Sequence, residues 1–263
     1  MEGSTKSMAT IAIGDIHGHL PALDDLLGQL RTDVSGDDTV VFLGDYIDRG
    51  SNAKGCIDAI LAFRDEVPAA VVALCGNHED WMLQTLRDPG RHSWLLGMQP
   101  LDTIHSYSPE AARVLRKAAR EAGLRLYAGS CELPYQVFFD ALPSAHRAFF
   151  EGLRTHYRSP DCIAAHAGVH PAFAPDAPHE HPRDSLVWGA RDFPEGYRGS
   201  QVVVYGHHNN AHIDAKGWPH PRCLGQTCGI DTIAHGVLTA MRFPDRRIYQ
   251  SARYAGVAEE PVS

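Results

Sequence analysis

Five short clusters of aspartate, asparagine, histidine and glycine hold the residues of this chain best suited to chemistry. In chain order they are Gly14-Asp15-Ile16-His17-Gly18, Gly44-Asp45-Tyr46-Ile47-Asp48-Arg49-Gly50, Gly76-Asn77-His78-Glu79, His166-Ala167-Gly168 and Gly206-His207-His208. Two aspartates, one asparagine and three histidines among them make a donor set of hard oxygen and borderline nitrogen atoms. No thiolate belongs to it, which favours Mn, Fe, Zn or Mg over softer metals. Asp15, His17 and Asp45 would hold one ion; Asp45, Asn77, His166 and His207 would hold a second, with Asp45 bridging. Two divalent ions about 4 Å apart clamp a phosphoryl group and deprotonate a shared water near neutral pH. Arg49 offers a planar fork for bidentate phosphate binding. His78 is placed to give a proton to a leaving oxygen, with Asp48 holding its imidazolium. The flanking glycines permit tight turns and close backbone approach.

Each cluster follows a short apolar, β-branched run: Thr10–Ile13, Thr39–Leu43, Ala70–Leu74, Cys162–Ala165 and Val202–Tyr205. Uninterrupted apolar runs of this length read as strands buried on both faces. Between the early ones, Leu20, Leu23, Leu26, Leu27 and Leu30 recur at helical spacing with Pro21 suited to a first turn, and Ile57, Ile60 and Leu61 mark a second helix. Strand–loop–helix–strand order predicts βαβ units around a central buried sheet, an α/β fold. Ligands collect at the carboxyl ends of such strands, so the five clusters are expected to converge on one site.

The segment 88–161 departs from this rhythm and is expected to be a helical insert over the site rather than an independent domain. It includes a helix opening at Ser108-Pro109-Glu110 and stopping at Gly123, and a second over Ser144–Leu153. Residues 171–183, rich in Pro and His, are expected to form a loop. The expected organisation is one domain over 9–253, with residues 1–8 a leader and 254–263 a loose tail.

The 263 residues carry 24 Lys+Arg against 32 Asp+Glu, a formal charge of −8. Such an acidic chain argues against holding nucleic acid on a broad basic surface. No apolar stretch approaches the roughly 20 residues that span a bilayer, and no hydrophobic leader marks secretion. The six cysteines form no Cys-x-x-Cys pair. They are expected to be reduced thiols, Cys223 and Cys228 included, in a cytoplasmic protein.

Taken in order and spacing, the five clusters resemble the signature of the PPP-type serine/threonine phosphatases within the calcineurin-like metallophosphoesterases. The resemblance runs from about Thr10 to Gln250, and Gly229-Ile230-Asp231-Thr232 with Gly236–Ala240 looks like the closing strands of bacterial members. It implies an αββα sandwich of two mixed β-sheets flanked by helices, a dimetal site with manganese the first candidate, and direct attack by metal-bound hydroxide without a phosphoenzyme. It assigns Asp15, His17, Asp45, Asn77, His166 and His207 as ligands, Arg49 and Asn77 to the substrate phosphate, and Asp48–His78 to the acid. Many members carry a second phosphate arginine two residues after a tryptophan; here Arg191 stands three after Trp188 and takes that assignment. Cys75 replaces an arginine found in some members before Gly-Asn-His, Ser51 replaces the usual proline, and His208 the common threonine.

The expected substrate is accordingly a phosphoserine or phosphothreonine monoester, on a phosphorylated protein or a small phosphoester, with aryl phosphates as artificial substrates. Dinucleoside polyphosphates are the alternative, since bacterial relatives hydrolyse them with the same metals; the intact Asp48-Arg49-Gly50 leans toward the protein-phosphatase branch. Diesterases usually end in Gly-His-x-His, and Asn209 stands at the last position here. A catalytically dead binding module would show a broken ligand set, and none of the six residues is missing. Trp81-Met82 and Trp94-Leu95-Leu96 read as core; His19, His179, His181, His208 and His212 read as solvated or supporting side chains.

Overall fold

A computed structural model describes residues 8–172, 181–190, 193–209 and 211–254. Its core is a pair of five-stranded mixed sheets packed face to face. The first has the order β12-β11-β1-β2-β3, built from β1 (Thr10–Ile13), β2 (Thr39–Phe42), β3 (Ala70–Ala73), β11 (Thr239–Phe243) and β12 (Arg247–Gln250). Strands β1, β2 and β3 run parallel, and β11 and β12 are added antiparallel. The second has the order β4-β5-β6-β10-β9, from β4 (His156–Arg158), β5 (Cys162–Ala165), β6 (Val202–Tyr205), β9 (Arg222–Leu224) and β10 (Thr227–Gly229). Here β5, β6 and β10 are parallel between antiparallel edges. A two-stranded ribbon, β7 (His212–Ile213) with β8 (Pro219–His220), lies between β6 and β9 in the chain.

The apolar runs work through the period-two alternation of strands. Ala12, Val41 and Leu43 face the second sheet and pack with Ala164, Val204, Cys228 and Ile230. Their neighbours Ile11, Ile13, Val40 and Phe42 face outward onto the helices. There α1 (Leu20–Asp33) buries Leu23, Leu26, Leu27 and Leu30, and α2 (Ala53–Glu66) buries Ile57, Ile60 and Phe63. Each such fully buried side chain contributes about 1.5–3 kcal/mol relative to exposure. The outer face of the second sheet, through Ile163, Ala165 and Val203, meets Leu186, Tyr197 and Phe193. Among the described residues its helical cover is the short α9 (Arg183–Val187).

The intervening segment contains α3 (Asn77–Arg87), α4 (Ser93–Gly97), α5 (Leu101–Tyr107), α6 (Pro109–Ala122), α7 (Gln136–Phe139) and α8 (Ser144–Glu151). Ser108 caps α6, accepting from Ala111 N–H at 3.1 Å, and Gly123 ends it at φ 55°. Trp94, Ile104, Leu115, Phe138 and Phe149 share one apolar cluster with Leu23 and Phe63. The helices are therefore continuous with the core, and β4, inside the 88–161 range, is an edge of the second sheet.

The thiol expectation is corrected at one pair. Cys223 and Cys228 form a disulfide, because β9 and β10 set them directly opposite each other with Cα atoms 4.1 Å apart. Cys56, Cys75 and Cys162 are buried free thiols, and Cys131 is a half-buried one.

Candidate metal centre

The clusters sit at the carboxyl ends of β1, β2, β3, β5 and β6, and the two sheets bring them together. Backbone at the site is tightly folded. His17, Asp45, Asp48, Arg49 and His207 have φ between 47° and 70°, and they are five of the seven described non-glycine residues with positive φ. Each such residue costs on the order of 1–3 kcal/mol and persists where its surroundings over-determine it. Two glycines provide room: a Cβ on Gly76 would stand 2.0 Å from Asp45 Oδ1, and one on Gly206 would stand 1.9 Å from Asp15 Oδ1.

Asp45 is central. Its Oδ2 lies 3.5 Å from His17 Nε2 and 3.8 Å from His78 Nε2, and its Oδ1 lies 3.5 Å from His166 Nε2. Asp15 Oδ2 is 4.0 Å from His17 Nε2, and both Asp15 oxygens accept from His207 N–H at 3.0 and 3.2 Å. Asn77 Oδ1 is 3.0 Å from both His166 Nε2 and His207 Nδ1. Two groups of potential ligand atoms result: His17, Asp45 and His78, and Asp45, His166 and His207, with all atoms of a group within 4.8 Å of one another. Asp45 belongs to both.

The histidine tautomers test whether a cation fits. His166 Nδ1 lies 3.1 Å from Leu43 O and His17 Nδ1 lies 3.0 Å from Ile47 O. A carbonyl only accepts, so each Nδ1 carries the ring proton and each Nε2 presents a lone pair inward. Burial lowers both rings' pKa, and for His17 the Arg49 charge lowers it further, so a second proton is disfavoured. Burial also lowers His207, helped by His166 and His208. The His166 lone pair thus faces the Asn77 carbonyl oxygen, and the His17 lone pair faces two carboxylates. His166 Nε2 and Asn77 Oδ1 oppose acceptor to acceptor, while the His17 lone pair meets an Arg49 N–H at 2.9 Å, and this donor set suits a borderline or hard divalent ion.

Asp45 is biased the same way. Burial alone would raise its carboxyl, but the surrounding His166, His78, His17 and His207 rings outweigh it and hold the pKa below the usual carboxylate range. Asp15 is raised well above that range by burial, then by Asp231 and Asp45.

Four supports were not legible as functional in the sequence. Glu79, buried in the first turn of α3, accepts four backbone N–H groups: Asp45 and Tyr46 at 2.9 Å, Gly76 at 3.1 Å and Ile47 at 3.3 Å. It fixes the loop that carries Asp45, while burial and then Asp45 push its pKa up to about 8. Asp231, after β10, is pushed up to about 6 by burial against the opposing Arg49 charge. Trp94 is fully buried, as expected, but its indole N–H also donates to Asp48 Oδ2 at 2.9 Å. Thr103 of α5 donates to Asp48 Oδ1 at 2.8 Å and accepts from Asp48 N–H at 2.7 Å. The helical segment therefore locks Asp48, whose Oδ2 holds His78 Nδ1 at 2.8 Å. His78 Nε2 is buried with no hydrogen-bond partner and is directed at Asp45. Burial would lower His78, yet Asp45 and Asp48 raise its pKa above the ordinary value. Arg49 Nη1 is 2.9 Å from His17 Nε2. Arg191 lies outside the described residues.

The shifts fix a sign for metal-free stability. Asp15, His78 and Glu79 bind their protons more tightly folded than unfolded, so their contributions fade as pH rises through the folded-state values. Above about pH 7.5, a unit past the ordinary histidine value of 6.5, the depressed His17, His166 and His207 are neutral in both states, and Asp45 is ionised in both. Chelated protein is therefore expected to lose roughly 2 °C or more of Tm between about pH 7.5 and 9, read by differential scanning calorimetry. Manganese-loaded protein should not, because ligand deprotonation strengthens binding. A chelated Tm that climbs over this interval contradicts the assignment.

A family model described as calcineurin-like phosphoesterase matches residues 8–236. The chain belongs to the calcineurin-like phosphoesterases. Members of this family use a dinuclear metal centre, and this chain has two groups of potential ligand atoms that share Asp45. Among curated relatives, the chain is 28% identical over 244 residues to the asymmetrical bis(5'-nucleosyl)-tetraphosphatase PrpE of Anoxybacillus flavithermus, covering 89% of both chains. Among solved structures it resembles a putative diadenosine tetraphosphatase with TM-score 0.61 and 20% identity, over 96% of each chain. A Saccharomyces cerevisiae serine/threonine phosphatase with similarity to human PP5 gives TM-score 0.50 and 15% identity, over 98% of this chain and 83% of that one. The two structural likenesses establish the two-sheet fold of this calcineurin-like phosphoesterase and nothing of its substrate.

Proposed function

We propose that this calcineurin-like phosphoesterase is a two-metal hydrolase of dinucleoside polyphosphates. The observation that carries the reading is the near full-length similarity to a bis(5'-nucleosyl)-tetraphosphatase, together with a site open enough to take a bulky group beside Arg49. Asp15, His17, Asp45, Asn77, His166 and His207 would hold the ions, Asp45 being shared. When bound, the ion pair supplies charge neutralisation at the phosphoryl group and a water acidified to near-neutral pKa.

The chain's own residues do the rest. His17 Nε2 now engages Arg49 through the lone pair a metal would use. Were that lone pair given to a metal ion, the Arg49 guanidinium would be free to present its paired N–H groups to phosphate oxygens. Asp48, held by Trp94 and Thr103, keeps His78 Nδ1–H in place, so Nε2–H faces the site as the proton donor to the leaving oxygen. Arg191, three residues after Trp188, is assigned to the phosphate by the family pattern alone.

That buried Asp48–His78 pair also favours a second reading. A phosphoserine or phosphothreonine ester has a poor alkoxide leaving group, which depends most on such a donor. The discriminating experiment compares kcat/KM of manganese-reconstituted protein on diadenosine tetraphosphate, a phosphothreonine peptide and bis-nitrophenyl phosphate, with a chelated control. Preferred turnover of the dinucleotide to ATP and AMP, abolished by chelation, is expected. Preferred peptide turnover would replace it with the second reading, and activity confined to the diester would overturn both.

A further inference from the structure

A cleft of about 580 Å³ opens beside the metal centre. Arg49 and Gly18 line its border with the metal centre, since Arg49 Nη1 is 2.9 Å from His17 Nε2 and Gly18 follows His17 directly. His19, Tyr254 and Asp102 are also on its wall. The volume lies within the range of about 300–1,000 Å³ usual for small-molecule sites.

The wall is fixed by the fold. His19 is the N-cap of α1, its Nδ1 accepting from Ala22 N–H at 3.4 Å. The Tyr254 ring packs on the His19 ring with centroids 5.7 Å apart and a tilt of 58°. Tyr254 is anchored in turn by its N–H to Gly236 O at 2.9 Å. Asp102 precedes Thr103 in α5, and Thr103 is bonded to Asp48. The same helical turn thus serves the proton-donor pair through Thr103 and the cleft through the residue before it.

The border with the metal centre offers a guanidinium suited to phosphate, and the wall also carries two aromatic rings and a carboxylate. An exposed carboxylate disfavours a second phosphate or an acidic peptide there, but accepts from hydroxyl or amino donors. Flat aromatic faces favour a planar ring system. A phosphate joined through a hydroxyl-bearing sugar to a planar base meets these requirements.

We propose that this cleft is a nucleoside subsite: the ring system of a nucleotide packs against His19 and Tyr254, Asp102 accepts from its sugar or amino donors, and its phosphate reaches the metal centre past Arg49. The inference rests on the dinucleotide reading and names where one nucleoside of that substrate lies.

Isothermal titration calorimetry of manganese-loaded protein with AMP and with inorganic phosphate tests it without turnover. Wild-type protein is expected to bind AMP at least about tenfold more tightly than phosphate. Tyr254→Ala should collapse that preference to within about threefold, and Tyr254→Phe, which keeps the ring, should retain it. Asp102→Ala, at an exposed helix position, should weaken AMP binding at least threefold relative to phosphate and serves if Tyr254→Ala does not fold. Equal wild-type affinity for AMP and phosphate, or a preference unchanged in both alanine variants, would overturn the subsite. Absence of dinucleotide turnover with the AMP preference intact would instead overturn the substrate reading and leave the subsite standing.

Discussion

Asp45→Asn is expected to abolish binding of both metal ions together and to lower kcat by at least about 10³-fold, or about 4 kcal/mol of transition-state stabilisation. Asp45 is the one side chain common to both ligand groups, with one carboxylate oxygen toward His17 and the other toward His166. Asparagine nearly preserves its shape, and an amide oxygen can still accept from His78 N–H, now 3.2 Å from Asp45 Oδ1. The loop also remains clamped by Glu79 through backbone N–H groups. What disappears is one negative charge between two cations. Metal analysis of the dialysed variant by inductively coupled plasma mass spectrometry checks this; retention of two ions per chain would break the bridging assignment.

His78→Asn is expected to act through the leaving group. Alkyl phosphomonoesters should lose about 10²–10⁴-fold in kcat/KM, whereas nitrophenyl phosphate should lose less than about tenfold, since nitrophenolate departs with little protonation. The ring is buried between Asp48 and Asp45, both of which favour its protonated form, and its Nε2 has no other partner. His78 also stands in one potential ligand group, so metal content must be measured on the same sample. Equal losses on both substrates with two ions retained would remove the proton-donor role. Loss of an ion would make His78 a ligand instead.

The sequence exposed the parts of this molecule whose physics is local. Four- and five-residue apolar runs ending at glycine or a small residue identify β1, β2, β5 and β6, because strands covered on both faces need apolar side chains at every position. The run at β3 also marks a strand, but not one buried on both faces: β3 is a partly exposed sheet edge. Ser108-Pro109 and Gly123 bound α6 for equally local reasons. Strand β10 was not visible as a strand: Thr227-Cys228-Gly229 has no apolar run and is held by β6 on one side and β9 on the other. The Cys223–Cys228 bond follows from that same pairing and stayed hidden with it.

The site divides along the same line. Its six candidate ligands are marked by glycine-flanked clusters, but their supports depend on distant chain meeting them. Glu79 looks like an ordinary acidic residue in a first helical turn, where it complements the helix dipole. Only the approach of the 44–47 loop turns it into a fourfold backbone acceptor. Trp94 and Asp48 lie 46 residues apart, so nothing in either neighbourhood announces their hydrogen bond. Trp94 is core, as its apolar neighbours in sequence predict, and its one polar atom gives it a second task.

The most direct test of a two-ion centre is a titration of metal-free wild-type protein with Mn²⁺, following bound ions per chain and nitrophenyl phosphate turnover in the same samples. Activity should saturate as the second ion binds, with little at one equivalent. Full activity with a single bound ion, or in the presence of excess chelator, would contradict the shared-carboxylate centre at Asp45.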